Sequence, residues 1–263
     1  MDLTKAIGFL NNLKVITVPT IPATCAAWSA LSVIYDDDGV QTEYIRFNKS
    51  PSLIIADKEI LSKAPLRYIN AGVADTFAKW YEIEPDLRKY KDDFALKLQV
   101  KISELALEIL KNDYVAEYGN DNKQVLNNTI DAIILLAGLT GSINGAVPYG
   151  GFAHPFYNNS TKVRETNKLL HGEKVIFGLL VQLTLEGKDD EVEEIIKINE
   201  KLGLPTTLKD IGIEEDIEEK LGVISEGIIN SDIEYAGIDY KLTKEKILEA
   251  VLKVDRLRQV VSV

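Results

Sequence analysis

Histidine and cysteine are scarce in this chain. Of 263 residues only two are histidine, His154 and His171, and one is cysteine, Cys25. A single cysteine excludes an internal disulfide and agrees with a reducing compartment. Basic residues are also in deficit, since 30 Lys and Arg stand against 41 Asp and Glu for a net charge of −11, with a pI of about 4.8. That balance argues against nucleic acid and anionic membrane as partners, because no cationic surplus is available to neutralise phosphates. No apolar run approaches the roughly 20 residues of a spanning helix, and the N-terminus lacks a signal pattern. The expectation is a cytoplasmic chain, either an enzyme of small molecules or an acidic interaction protein. The 46% hydrophobic content and a mean hydropathy near zero suit a well-cored protein of one large or two modest domains.

The chain changes texture near residue 64. Leu3 to Leu13 reads as a short helix, and Lys14 to Val18 as a buried, β-branched strand ending at Pro19. Leu31 to Tyr35 and Val40 to Phe47 are β-rich and joined by Asp36-Asp37-Asp38-Gly39, where Asp-Gly signals a hairpin turn. The triple aspartate is read as a solvated tip rather than a cation site. Ser52 to Ala56 gives one more strand. Beyond Pro65 helical periodicity takes over, over 66–83, 85–111, 123–142, 172–185, 189–202 and 243–257. The acidic clusters Glu191-Glu193-Glu194 and Glu214-Glu215-Asp216 are read as solvated faces and linkers. The expected architecture is an α/β part over residues 1–64 followed by an all-helical part over 65–263.

Two imidazoles and one carboxylate with a vacant fourth position make a catalytic zinc site. Asp75 is the carboxylate best placed to complete the set, because Ala71, Gly72, Ala74 and Ala78 around it let another backbone or a ligand approach closely. Spacing alone leaves other roles open. Asp75 could cap a helix or pair with a lysine, the histidines could be polar loop residues, and no local pattern such as His-Glu-x-x-His is present.

Four segments carry a resemblance. They are 18–35 (Val-Pro-Thr-Ile-Pro-Ala-Thr-Cys-Ala-Ala-Trp-Ser-Ala-Leu-Ser-Val-Ile-Tyr), Gly72-Val73-Ala74-Asp75, His171-Gly172-Glu173-Lys174-Val175 and Gly203-Leu204-Pro205-Thr206-Thr207-Leu208. In that order and spacing they resemble the glycerol dehydrogenase branch of the iron-containing alcohol dehydrogenase family, over essentially the whole chain. The resemblance implies a dehydroquinate synthase-like fold, with a partial Rossmann-like lobe and its β-hairpin before an all-α domain. It implies a metal, Zn2+ or Fe2+, on Asp75, His154 and His171, and NAD or NADP as hydride carrier. Tyr157 stands where members often place a second histidine, and is the expected hydrogen-bonding group beside the reacting centre. Cys25 stands where the branch usually carries an aspartate that binds polyol hydroxyls. Its Thr24-Cys25-Ala26-Ala27-Trp28 string resembles the hydroxycarboxylate (2-oxo acid) reductase sub-branch, and loss of a carboxylate removes repulsion against an anionic substrate.

The resemblance also assigns a cofactor face. Asp2 and Lys5 match the end of a Gly-Gly-Gly-x-x-x-Asp-x-x-Lys motif whose glycines carry the pyrophosphate at a helix N-terminus. Thr20, Ala23, Ser29, Leu31 and Tyr35 match positions that touch the cofactor. The motif's glycines and most of the family's nucleotide-binding lobe would precede Met1, through a late start codon, a gene fragment or a shortened form with another role. The expectation is weak cofactor binding by the 263 residues alone, and an unpaired strand edge that invites self-association. Relatives usually assemble, so a homo-oligomer is expected. The leading function is a metal-dependent, nicotinamide-linked dehydrogenase of a small hydroxy or 2-oxo acid. A glycerol or polyol dehydrogenase is the alternative, and an inactive metal-binding fragment or scaffold lies beyond both.

Overall fold

The computed structural model describes residues 1–143, 150–231 and 235–260, the last three by backbone only. Helix α1 (Asp2–Leu10) leads into strand β1 (Ile16–Thr17), and β2 (Leu31–Tyr35), β3 (Gln41–Arg46) and β4 (Leu53–Ile54) follow. β1 pairs with β4 in parallel, and β2 with β3 antiparallel, from Leu31 opposite Arg46 to Tyr35 opposite Gln41. The hairpin tip between them is held by Asp36, whose carboxylate accepts from the Asp38 and Val40 N–H groups. Asp36, Asp37 and Asp38 are exposed.

The remaining described elements are helical. α2 (Lys58–Leu61), α3 (Leu66–Ile83), α4 (Phe94–Ile109), α5 (Lys123–Asp131), α6 (Ala137–Thr140) and α7 (Ala153–Ser160) come first, then α8 (His171–Leu185), α9 (Asp189–Leu202), α10 (Ile217–Ile229) and α11 (Lys244–Val260). Ile83, Leu96 and Val100 form a small cluster between α3 and α4, while most of the helices share one larger apolar core that includes Phe77, Ile133, Phe156, Phe177 and Leu180. α3 and α8 are its two axial helices, buried along almost their whole length, as expected of helices that are apolar or small-sided all round. α9 is amphipathic by contrast, and buries Val192, Ile195, Ile198 and Leu202 along one face.

Several sequence expectations need correction. The Lys14–Val18 run is not a buried strand, because only Val15 and Thr17 are inward while Ile16 and Val18 are more than half exposed. The helix expected over 85–111 is broken. Pro85 opens a 3-10 turn (Glu84–Arg88), the polar Lys89 to Asp93 stretch interrupts, and Asp93 restarts the chain by accepting from the Leu96 N–H at 2.7 Å. The helix expected over 123–142 passes through a π-helical turn at Ala132–Leu136. Three helices, α2, α7 and α10, carry no expectation at all. α7 is short and holds Pro155 with Asn158, Asn159 and Ser160, poor helix formers, while α10 begins inside an acidic stretch that reads as linker.

Candidate metal centre and active site

Asp75, His154 and His171 lie on three different helices and converge. The Asp75 Oδ1 stands 3.2 Å from His154 Nε2 and 3.1 Å from His171 Nε2, and one donor atom from each of the three lies within 4.8 Å of the others. Asp75 is on the third turn of α3, His154 in the first turn of α7, and His171 is the first residue of α8. α8 is tied to α3 just there. Arg67 grips Glu173 with two hydrogen bonds, Nε to Oε1 at 2.6 Å and Nη2 to Oε2 at 2.8 Å, and Glu173 also accepts from the Leu170 N–H. Planar bidentate pairing of this kind fixes orientation as well as distance.

The electrostatics follow from burial and charge. Burial disfavours an ionised Asp75, but the Lys79 ammonium 3.5 Å away and the two imidazoles hold its carboxyl well below the usual range. Burial likewise works against a charged His154, yet Glu82 and Asp75 outweigh it and lift the ring to about 9. His171 is held below its ordinary value by burial. The donor set fits a divalent cation: two ring nitrogens and one carboxylate oxygen face one another, the ligand chemistry of zinc or ferrous iron, and an ion there would replace the proton on His154 Nε2.

The residues expected around the site fall into separate groups. Tyr157 is buried with its ring edge against His171 at 4.2 Å between centroids, and its hydroxyl shares a 2.6 Å hydrogen bond with Tyr35 of β2. That bond joins the hairpin to the helical core beside the centre. Cys25 is buried; burial pushes its thiol up, and the charges of Lys79 and Asp75 reach it. It is therefore a neutral packing thiol on the side of Asp75.

The expected cofactor residues divide in two. Asp2, Lys5, Ser29 and Leu31 form an internal staple: Lys5 is fully buried, and its ammonium donates to the carbonyls of Ala26 at 2.8 Å, Ser29 at 3.3 Å and Leu31. Asp2 accepts from the Val33 N–H at 3.3 Å, and its carbonyl accepts from Ser32. Lys5 thus faces inward and offers no cation to a phosphate. Thr20 and Tyr35 are exposed and Ala23 half-buried, so these three remain open to a ligand. Sequence reasoning missed Glu82, which meets His154 through both carboxylate oxygens. Its place seven residues after Asp75, two helical turns on, was the available signal.

No family model matches the chain. It is 31% identical to a glycerol dehydrogenase of Citrobacter freundii over 98% of its own length and 72% of that protein's. It is 33% identical to hydroxycarboxylate dehydrogenase A of Escherichia coli over 81% of its length and 60% of the relative's. Among solved structures, a probable glycerol dehydrogenase from Sinorhizobium meliloti superposes with a TM-score of 0.88 at 28% identity, covering 99% of this chain and 75% of that one. An iron-containing alcohol dehydrogenase from Thermococcus thioreducens shares the fold, with a TM-score of 0.70 at 17% identity over 92% of this chain and 65% of the other.

Fold and relatives together define an oxidoreductase of CH–OH groups with a dehydroquinate synthase-like architecture. Within that class, the chain belongs to the glycerol dehydrogenase family, and it shares its fold with iron-containing alcohol dehydrogenases. Among the described residues no helix is long and apolar enough to cross a membrane.

Proposed function

We propose that this chain is a metal-dependent, nicotinamide-linked dehydrogenase that interconverts a small 2-hydroxy acid and its 2-oxo acid. The observation that carries the metal-dependent part is the convergence of Asp75, His154 and His171 from three helices onto one point. In this reading those three residues hold Zn2+ or Fe2+. When bound, the ion supplies Lewis acidity to the substrate oxygen, favouring the alkoxide in oxidation and the polarised carbonyl in reduction.

The chain's own residues do the rest. Lys79 keeps Asp75 ionised, Tyr157 packs on His171 and closes one side against water, and Tyr35 anchors the Tyr157 hydroxyl. NAD or NADP is the proposed hydride carrier, with Thr20 and Tyr35 exposed to it, Asp2, Ala23 and Leu31 half-buried, and Lys5 and Ser29 supporting that face from within. Residues 1–64 and 65–263 are proposed as the two units that enclose substrate between them. Association with further copies is also part of the proposal, supported by the exposed apolar row Leu3, Ile7 and Leu10 on α1; nucleic acid and membrane have no place in it.

The acid substrate is favoured by a Cys25 thiol that burial keeps neutral within reach of the Lys79 and Asp75 charges, and by the hydroxycarboxylate dehydrogenase relative. A polyol such as glycerol is the second reading, favoured by the glycerol dehydrogenase relatives. Steady-state kinetics of the zinc-loaded chain with NADH or NADPH separate them. The proposal expects a higher kcat/KM for 2-oxobutyrate or 2-oxoglutarate than for glycerol with the oxidised cofactor. A clear preference for glycerol selects the second reading, and no turnover with any of them removes the dehydrogenase assignment from the isolated chain.

A further inference from the structure

We infer that Glu82 is the positioning residue of this centre: its carboxylate turns the His154 ring so that Nε2 faces Asp75 and His171. The inference rests on the proposed metal centre and names the group that sets its geometry. His154 meets Glu82 twice, through its backbone N–H to Oε1 at 2.8 Å and through ring Nδ1 to Oε2 at 2.5 Å. The backbone N–H can only donate. With Nδ1–H also donating, Nε2 is the nitrogen left for a metal ion, which would take the place of the proton that the charged ring holds towards Asp75 at 3.2 Å. A histidine without that partner is free to carry its proton on Nε2, where it would oppose a cation.

The surroundings are shaped for this contact. Gly151 runs so close to Glu82 that a Cβ built on it would lie 2.3 Å from the Glu82 Cβ and Cγ. Any larger residue there must push the glutamate or the start of α7 aside. The N-terminus of α7 has no cap of its own. Gln182 accepts from the Phe152 and Ala153 N–H groups, Glu82 accepts from His154, and Pro155 has no N–H to satisfy. A carboxylate at this helix end is also favoured by the helix dipole. Because Glu82 and Asp75 ride the same face of α3, one rigid helix carries both a ligand and the support of a second ligand.

The test uses zinc alone on the full chain. Chelator competition gives the zinc affinity of the wild type, Glu82→Gln and Glu82→Ala, each stripped of metal, beside the urea stability of the metal-free forms. Glutamine keeps the size but offers one acceptor and one donor, so it cannot accept from both His154 groups. The expected result is a loss of zinc affinity of about 10- to 100-fold in Glu82→Gln. A merely structural Glu82 would lower metal-free stability while the folded protein kept its affinity, and an affinity within about twofold of wild type overturns the inference.

Should both variants fail to fold, nitrogen NMR of the zinc-loaded wild type decides, with only two histidines to assign. A proton on His154 Nδ1 and metal on Nε2 supports the inference; the reverse overturns it. A wild type that binds no zinc overturns the metal centre itself, and this inference with it.

Discussion

Gly172 lies against the backbone of Ala71 so closely that a Cβ on Gly172 would come 1.8 Å from the Ala71 carbonyl oxygen. Ala71 is one turn before Asp75 and Gly172 directly follows His171, so the helix crossing that brings α3 and α8 together also brings two of the three donors together. Glycine is required by contact here, since no side chain fits between the two backbones. Gly172→Ala is therefore expected to destabilise the chain by about 1–3 kcal/mol, read by urea denaturation. It should also weaken zinc binding by about tenfold or more, the scale of disturbing support to a ligand. Unchanged zinc affinity would show that the crossing does not set the site.

Zinc should raise the thermal stability of the wild type, because a ligand that binds only the folded state at about 100 times its Kd adds about 2.7 kcal/mol. His171→Ala and Asp75→Asn should both abolish that gain. The two variants are expected to differ without metal. Asp75→Asn leaves the buried Lys79 ammonium without its carboxylate 3.5 Å away, a loss on the order of 3–5 kcal/mol, whereas His171→Ala removes no charge partner of a buried lysine. Differential scanning of the four combinations checks this. A zinc-dependent rise that survives Asp75→Asn removes that residue from the centre.

How much of this was legible in the sequence depends on the element. α3 (Leu66–Ile83) and α9 (Asp189–Leu202) were readable to the residue, because small and apolar residues repeat at helical spacing and Pro65 and Gly203 mark their limits. The β2–β3 hairpin was readable from its β-branched runs and Asp-Gly tip. α7 was not, because one Pro and three short polar residues in eight leave no periodic signal, although it carries His154. The Asp75, His154 and His171 set came from the family resemblance; spacing alone could not bring together residues 96 apart. Lys5 shows the opposite limit. The motif suggested a cofactor contact, but no local pattern tells whether a lysine faces a cleft or, as here, three backbone carbonyls.

Lys5→Met tests that inward role. Its ammonium satisfies the carbonyls of Ala26, Ser29 and Leu31 in a fully buried setting. Methionine fills a similar volume but leaves those acceptors unpaired, each costing about 1–3 kcal/mol when removed from water without a partner. Removing the buried charge offsets part of this, since burial already lowers the Lys5 pKa. The net expectation is a loss of about 2 kcal/mol, with faster amide exchange confined to α1 and the 25–31 segment. Wild-type exchange in those segments would mean that α1 is held by its apolar contacts alone.

Lys174 gives the chain a pH dependence with a definite sign. Its side chain is 4% exposed, packed over the Tyr157 ring at 4.9 Å, and burial lowers its pKa from 10.5 to about 8. Below pH 8 both folded and unfolded chains hold the proton, and the folded state bears the full penalty of a buried charge. Between pH 8 and 10.5 the unfolded chain still holds the proton while the folded one has released it, so stability from this group rises with pH. The rise is on the order of 3 kcal/mol at 1.36 kcal/mol per unit. Lys174→Met removes it, so the variant should be more stable than wild type below pH 8, with the gap closing toward pH 10.5. Urea denaturation of both proteins across that range measures the gap directly, and other titrating groups cancel in the difference. Parallel stability profiles would mean that the Lys174 ammonium finds its solvation by another route and remains charged in the folded chain.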